Sequence, residues 1–562
     1  MKKISMFIVC MFLAAFVVND VGAKDRYHKP SHHRHPTEAV PGTPVIDYMA
    51  LLEFNYPGTV ITEVTFEEDG DMPAHCIVKG YMNERTGIGF PPITPPEISY
   101  AIGFEMRLPT AWSGRFLYQA NGGIDGVVVP AYGNIGGGES ALGMGFAVIS
   151  SDAGHGPGPF FGMDPQARID YGYNAVAQLT PMAKRLIKTY YGKLPDKSYF
   201  AGCSNGGRHT MVAASRYADA YDGFFAGAPG FNLPKAAVAQ LWGAQQYATI
   251  SEYVDGRPDI SSSFSPEDQA LVSNAILAAC DENDGVADNM VSDPIGCQAL
   301  FNINRDVPTC EGPGDEGCLT YGQKSVLARI YAGAMNSHGN PIYANFFWDP
   351  GIVSANWRFW EFTASTSLDP SAVGLIFSVP PDPNSIFGGL DWVLNWNGSG
   401  FDVDRDAPKI YATDDTYTES GMSFMTPPDL LMKRLYARGG KLIIYHGTAD
   451  SIFSAADTVN WYETLSAHYK RRTKDFARLF LIPGMAHCGG GPSCDRFELF
   501  NALVNWVERG IEPDAIVATV DPGNPEVPTD WSPDRTRPLC AYPAVPVYQG
   551  GNVEDASSFE CR

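Results

Sequence analysis

Over the first 230 or so residues, short apolar runs alternate with amphipathic stretches, the rhythm of strands followed by helices. Phe116–Gln119, Phe146–Ser150 and Ser198–Ala201 have the length of buried strands. Asp170–Tyr190 carries Val176, Leu179, Met182, Ala183 and Leu186 at spacings of three and four, which predicts a helix. Such strands alternating with helices predict a parallel sheet with crossover helices. The rhythm lapses between about 230 and 438, where Trp and Phe clusters, Pro-rich turns and four closely spaced cysteines replace it. It resumes with a predicted strand at Lys441–His446, a helix over Ala455–Tyr469, a strand at Ala477–Ile482 and a helix over Arg496–Arg509. The pattern predicts one α/β domain in two chain segments, 46–229 and 439–562, interrupted by a lid at 230–438.

The N-terminus changes the picture of where this domain works. Met1–Lys3 is basic, Ile4–Val18 is nearly all apolar, and Val21-Gly22-Ala23 is a small-residue cleavage site, which together predict a signal peptide over 1–23. Its apolar run falls short of the roughly 20 residues that span a bilayer. Residues 24–45, with His32, His33 and His35, are polar and aperiodic and are expected to form a solvated, flexible leader. Of eleven cysteines, Cys10 leaves with the signal, and an even set of ten remains for an oxidising, secreted or periplasmic setting. The 63 acidic residues against 40 basic ones give a net charge of −23, which repels nucleic-acid phosphates and anionic lipid and argues against both as partners.

Candidate chemistry begins at Gly202-Cys203-Ser204-Asn205-Gly206, a G-x-S-x-G element directly after a predicted strand and before a predicted helix. A serine hydroxyl needs a base to take its proton, and the base needs a carboxylate to hold its tautomer. In the α/β-hydrolase arrangement these follow in the order Ser, Asp, His. Asp450 falls just after a strand end, and His487 lies in the Gly-rich loop after the next strand. Asp457 competes as the acid but falls within the following helix; His446 competes as the base but precedes the acid at a strand end. Cys203 immediately precedes the candidate nucleophile and Cys488 immediately follows the candidate base, so a disulfide between them would tether the two loops. The oxyanion needs two donors. The amide of Asn205 is one candidate, and Gly123, in the glycine-containing loop after an earlier strand, supplies the other.

Gly202–Arg208, Gly439–Asp450 and Pro483–Cys488 resemble the tannase and feruloyl esterase family, and the resemblance runs from about Val64 to Arg562. It implies an α/β-hydrolase fold with a large inserted lid, Ser204 as nucleophile, Asp450 as orienting acid and His487 as general base. It also implies disulfides Cys203–Cys488, Cys280–Cys297, Cys310–Cys318 and Cys540–Cys561, and leaves open whether Cys76 meets Cys494. Cys280–Met290 is rich in side-chain oxygens around a turn glycine, a composition that suits Ca²⁺ although its spacing is not that of an EF-hand. The family carries a structural calcium site in the lid at this motif, which implies side-chain ligands Asp281, Asp284 and Asp288 and backbone carbonyls of Val286 and Met290.

The family hydrolyses gallate, ferulate, terephthalate-type and related aromatic esters, and the expected substrate is a small aromatic ester. Trp348, Trp357, Trp360, Trp392 and Trp396 crowd the lid, and Phe453 falls three residues after Asp450. Trp357 and Phe453 are the candidate substrate contacts, since aromatic walls suit an aromatic acyl group. Members that cleave terephthalate monoesters hold the free carboxylate with a lid arginine. Between Arg358 and Arg405 this sequence has no Lys or Arg, so a neutral or phenolic acyl group is expected. Acyl transfer to another alcohol and non-catalytic ligand binding are the rival functions; the complete Ser/Asp/His set disfavours the second.

Overall fold

The computed structural model describes residues 36–562 except 69, 135, 313–314 and 396–397. The signal peptide, the His32/His33/His35 cluster and Trp396 lie outside the described residues. Eleven strands come first: β1 Thr59–Glu67, β2 His75–Ile88, β3 Glu97–Pro109, β4 Arg115–Gln119, β5 Ala147–Ser151, β6 Lys197–Cys203, β7 Gly223–Gly227, β8 Glu252–Val254, β9 Arg257–Asp259, β10 Lys441–Gly447 and β11 Ala477–Ile482. Nine of them form one sheet in the order β1-β2-β3-β5-β4-β6-β7-β10-β11. From β5 to β11 every pairing is parallel, while β1-β2, β2-β3 and β3-β5 are antiparallel. The sheet is therefore mixed, where the chain's rhythm predicted a parallel one.

The parallel strands are buried on both faces, so their residues divide between two cores with the strand period of two. Phe116, Tyr118, Ile149 and Phe200 pack with Val176, Leu179, Met182, Ala183 and Leu186. Leu117, Val148, Tyr199, Phe225 and Tyr445 pack on the other face with Phe500, Leu503 and Trp506. The expected helix begins as a π-turn over Asp170–Asn174 and continues as an α-helix over Ala175–Tyr191. The helix expected over Arg496–Arg509 starts later, at Leu499. Arg496 and Phe497 instead form β12, which pairs with β13 Ala515–Thr519, itself beside β14 Thr536–Cys540. The ladder with β13 takes the backbone groups that a longer helix would have used.

Residues 36–45 also differ from a flexible leader. The Ala39 amide donates to Glu508, Gly42 bridges Trp112, and the Val45 amide donates to the carbonyl of Tyr190. These backbone bonds fix the segment against the sheet. Among the described residues, 233–438 contributes no strand to the large sheet and is mostly short helices around a third apolar core. No described helix is long and apolar enough to cross a membrane.

Inside that third core Glu361 is buried, with the Tyr247 hydroxyl donating to it at 2.9 Å. Burial pushes its carboxyl from 4.5 up to about 8, against the lowering effect of that hydrogen bond. The folded chain keeps this proton while the unfolded chain releases it near 4.5, so between about 4.5 and 8 the unfolded state binds fewer protons. The contribution to stability is complete below the lower value and is lost as pH rises through the upper one. Melting temperatures measured from pH 5 to 9 are expected to fall, and Glu361→Gln is expected to flatten that slope. An unchanged slope in the variant would remove Glu361 as its source.

Candidate functional site

β6 ends at Cys203 and the helix Asn205–Arg216 begins two residues later, so Ser204 alone makes the turn. Its backbone is at φ 66° and ψ −127°, a strained conformation that projects the side chain from the sheet edge. The turn closes only because Gly202 and Gly206 lack side chains: a Cβ on either would collide with the carbonyl of Ala120. The Ser204 amide donates to the carbonyl of Gly227 at 3.0 Å and ties the turn to β7.

His487 Nε2 lies 2.8 Å from Ser204 Oγ, and His487 Nδ1 lies 2.7 Å from Asp450 Oδ2. The other Asp450 oxygen accepts the amides of Ile452 and Phe453 at 3.0 and 2.9 Å. Burial alone would raise the Asp450 pKa, but the charge of His487 and hydrogen bonds from His446 and His487 hold it well below the usual carboxylate range. The three residues expected from the motif are thus brought together by hydrogen bonds. His446 is fully buried behind Asp450, with Nε2 2.8 Å from the carbonyl of Phe453 and Nδ1 2.8 Å from Thr458 Oγ1. Asp457 accepts from Asn232 at 2.9 Å. Neither competitor takes the place of His487 or Asp450.

Cys203 and Cys488 are disulfide-bonded with Cα atoms 6.0 Å apart, across 285 residues of chain. Among the described residues Cys280–Cys297, Cys310–Cys318 and Cys540–Cys561 are the other three disulfides. Cys76 and Cys494 are both buried and unpaired, in separate cores. Burial pushes each thiol up to about 12, so both stay protonated and unreactive.

Of the two expected aromatic contacts, Phe453 places its ring 5.3 Å from that of His487. Trp357 does not reach the site. It is 3% exposed, packed edge-on against Tyr247 and Phe362 inside the third core. Trp360 is the residue that meets His487, ring to ring at 5.1 Å, from a π-turn over Phe359–Ala364. Sequence reasoning also passed over Asp349. This fully buried carboxylate accepts from Thr448 Oγ1 at 2.5 Å, from the Gly484 amide at 3.3 Å and from the Gly351 amide at 2.8 Å. It therefore fastens the loop before Asp450 to the loop before His487. Asp349-Pro350-Gly351 carries a helix-start signature, which was the available signal. A cleft of about 680 Å³ opens at Ser204, lined by Asn121, Gly122, Val129, Tyr132 and the Cys203–Cys488 disulfide. Gly123 follows in the same loop at φ 61°, and a Cβ there would meet nothing within 4 Å. Asn205 opens the helix after Ser204.

The 281–290 loop folds around Asp281, whose carboxylate accepts the amides of Asp288, Asn289 and Met290 at 2.9–3.2 Å. Asp284 Oδ2 and Asp288 Oδ1 are buried without a hydrogen-bond partner, and the second oxygen of Asp288 pairs with Arg537. Two orphaned carboxylate oxygens fit a hard cation. Among the described residues no three His, Cys, Asp or Glu side chains converge as a metal cluster, so a cation here would also need backbone carbonyls.

A mixed sheet with a serine on the sharp turn after an inner parallel strand, facing an imidazole held by a buried carboxylate, is the framework of an α/β-hydrolase. Within that class the chain belongs to the tannase and feruloyl esterase family, whose description, "Tannase and feruloyl esterase", matches residues 93–562, and it is a carboxylic ester hydrolase. It is 39% identical over 531 residues to mono(2-hydroxyethyl) terephthalate hydrolase of Piscinibacter sakaiensis, covering 87% of this chain and 85% of that protein. A probable feruloyl esterase B-2 of Aspergillus terreus is 27% identical over 487 residues, covering 82% and 84%. The crystal structure of feruloyl esterase B from Aspergillus oryzae superposes with a TM-score of 0.71 at 24% identity, covering 92% of this chain and 99% of that one.

Proposed function

We propose that the chain is an exported serine esterase that hydrolyses small aromatic carboxylic esters through an acyl-enzyme. The observation that carries the reading is the continuous pair of hydrogen bonds Ser204–His487–Asp450. Ser204 Oγ attacks the ester carbonyl as His487 Nε2 takes its proton, with Asp450 holding the ring with Nε2 free to accept. The amides of Asn205 and Gly123 receive the oxyanion. His487 returns the proton to the departing alcohol, then draws one from water, which releases the acid and restores Ser204. The names of the relatives point to aromatic acyl groups, and Trp360 and Phe453 at His487 give such a ring surfaces to pack on. Arg358 donates to Phe264 and Gln269, and Arg405 pairs with Asp406, so neither flanking arginine is free to clamp an acyl carboxylate. A neutral or phenolic acyl group fits that arrangement best. The four disulfides and the expected signal peptide support export.

A panel of methyl gallate, methyl ferulate and a terephthalate monoester, assayed with Ser204→Ala alongside, tests this reading. The expected result is turnover by the wild type and none above background by the variant. Equal turnover by the two would overturn it.

In the 281–290 loop, Asp284 and Asp288, each with a buried unpartnered oxygen, would hold a structural Ca²⁺ together with the carbonyls of Val286 and Met290. Asp281, expected as a third ligand, has both oxygens on backbone amides and would brace the loop. The ion would neutralise the crowded carboxylates and rigidify the loop. Calcium at about 100 times its Kd would add about 2.7 kcal/mol of stability. Chelation is therefore expected to lower the melting temperature, added calcium to restore it, and Asp284→Asn to blunt both responses. Identical melting with chelator and with calcium would remove the site.

A further inference from the structure

We propose that Asp125 is a positioning residue that sets the oxyanion hole, by tying the loop that carries Gly123 to the side chain of Asn205. The proposal deepens the serine-esterase reading and rests on it. Two amides stabilise an oxyanion only if they converge on one point, and here they belong to separate loops. One follows β4; the other opens the helix after Ser204.

Asp125 lies in the turn after Gly123. Its amide donates to the carbonyl of Gly122 at 3.3 Å, and the next amide, of Gly126, donates to the carbonyl of Asp152 at 3.0 Å. Its φ is 54°, a left-handed backbone unfavourable for a residue with a Cβ, so its side chain must justify the position. That side chain is 2% exposed. One oxygen, Oδ2, accepts from Asn205 Nδ2 at 2.8 Å and from His209 Nε2 at 2.8 Å. The bond to Asn205 crosses 80 residues of chain, from one proposed oxyanion loop to the other.

The far side of Asn205 is fixed as well. Its Oδ1 accepts from Arg208 Nε at 3.0 Å, Arg208 Nη2 at 2.7 Å and the Tyr171 hydroxyl at 3.3 Å. Arg208 Nη2 also donates to the carbonyl of Tyr171 at 3.2 Å, which commits both its hydrogens. His209 Nε2, 2.9 Å from that nitrogen, is therefore the donor to Asp125. Burial first, and the neighbouring Arg208 charge second, hold the His209 pKa below its ordinary value, so the ring serves as a neutral donor. Arg208, His209 and Asn205 are all buried, which leaves the Asp125 carboxylate a fixed strut.

Position and charge separate cleanly in the test. Asp125→Asn can present its amide oxygen where Oδ2 now lies and keep both bonds; Asp125→Glu keeps the charge but moves it by a methylene; Asp125→Ala removes the strut. With p-nitrophenyl acetate and the best aromatic ester of the panel, Asp125→Ala is expected to lower kcat about 100-fold with KM within about twofold. Asp125→Glu is expected to fall similarly, and Asp125→Asn to recover to within about fivefold of wild type. Should Asp125→Ala fail to fold, the Asn and Glu variants carry the comparison. Wild-type kcat in Asp125→Ala or Asp125→Glu, or an Asn variant as impaired as the Glu variant, overturns the proposal. A wild type that hydrolyses no ester, or a Ser204→Ala variant as active as wild type, would instead overturn the esterase reading.

Discussion

Asp450→Asn is expected to lower kcat by about 10⁴-fold while the protein stays folded and KM changes little. All the acceptor capacity of this carboxylate is engaged. Oδ1 takes the amides of Ile452 and Phe453, and Oδ2 faces His487 Nδ1 at 2.7 Å and His446 Nε2 at 3.3 Å. An asparagine would keep its oxygen toward the two amides, because only an acceptor fits there. Its NH₂ would then face His487, whose Nδ1 would have to accept. The ring proton would move to Nε2 and meet Ser204 Oγ with no lone pair left to receive the hydroxyl proton. The same NH₂ would oppose the Nε2–H that His446 shares between Asp450 and the carbonyl of Phe453. Steady-state kinetics beside a melting curve check the expectation. A variant within tenfold of wild type, or one whose loss matches its loss of folded protein, would mean that Asp450 does not set the tautomer of His487.

That Asp450 could be read from the chain while Asp349 and Asp125 could not follows from what each depends on. Ser204, Asp450 and His487 sit at strand ends, and a strand end is visible as the close of an apolar run. Asp349 acts on Thr448 across 99 residues, and Asp125 on His209 across 84; the helix-start signature at Asp349 marks a cap and not its distant partner, and nothing local marks Asp125. Trp357 and Trp360 illustrate a different failure. Three residues apart on a regular helix they would share a face, but the π-turn over Phe359–Ala364 widens the helix where Trp360 sits, and only that ring reaches His487. The buried strands β5, β6, β10 and β11 were legible because both faces are apolar. Over β1 most residues are at least partly exposed, and Glu63 and Glu67 interrupt any alternation that would have announced an antiparallel edge.

Cys203→Ser combined with Cys488→Ser is expected to cost both activity and stability, unlike loss of the other disulfides among the described residues. His487 rides on a loop of left-handed turns, with Gly484, Cys488, Gly490 and Gly491 all at positive φ. The flanks of that loop are tied by Gly484 to Thr448 Oγ1 at 3.1 Å and by the Gly490 and Gly491 amides to Asp495 and Glu526 at 2.7 Å, whereas at the centre the His487 amide meets Asn356 Oδ1 at a longer 3.3 Å. The disulfide joins it directly to the residue before Ser204 and closes 285 residues, so in chain-entropy terms its removal costs about 5.6 kcal/mol. A displacement of about 1 Å between base and nucleophile is enough to lower kcat about 10²-fold. Removing Cys310–Cys318, which closes 8 residues away from the site, is worth about 2.5 kcal/mol by the same reasoning and should leave kcat unchanged. Because Cys203 and Cys488 both line the cleft at Ser204, a small thiol can reach their bond, and dithiothreitol should reproduce the double variant's kinetics. Wild-type kcat in the double variant would show that Asp349, Trp360 and Phe453 suffice to hold His487 against Ser204, and would reduce the bond to a purely stabilising role.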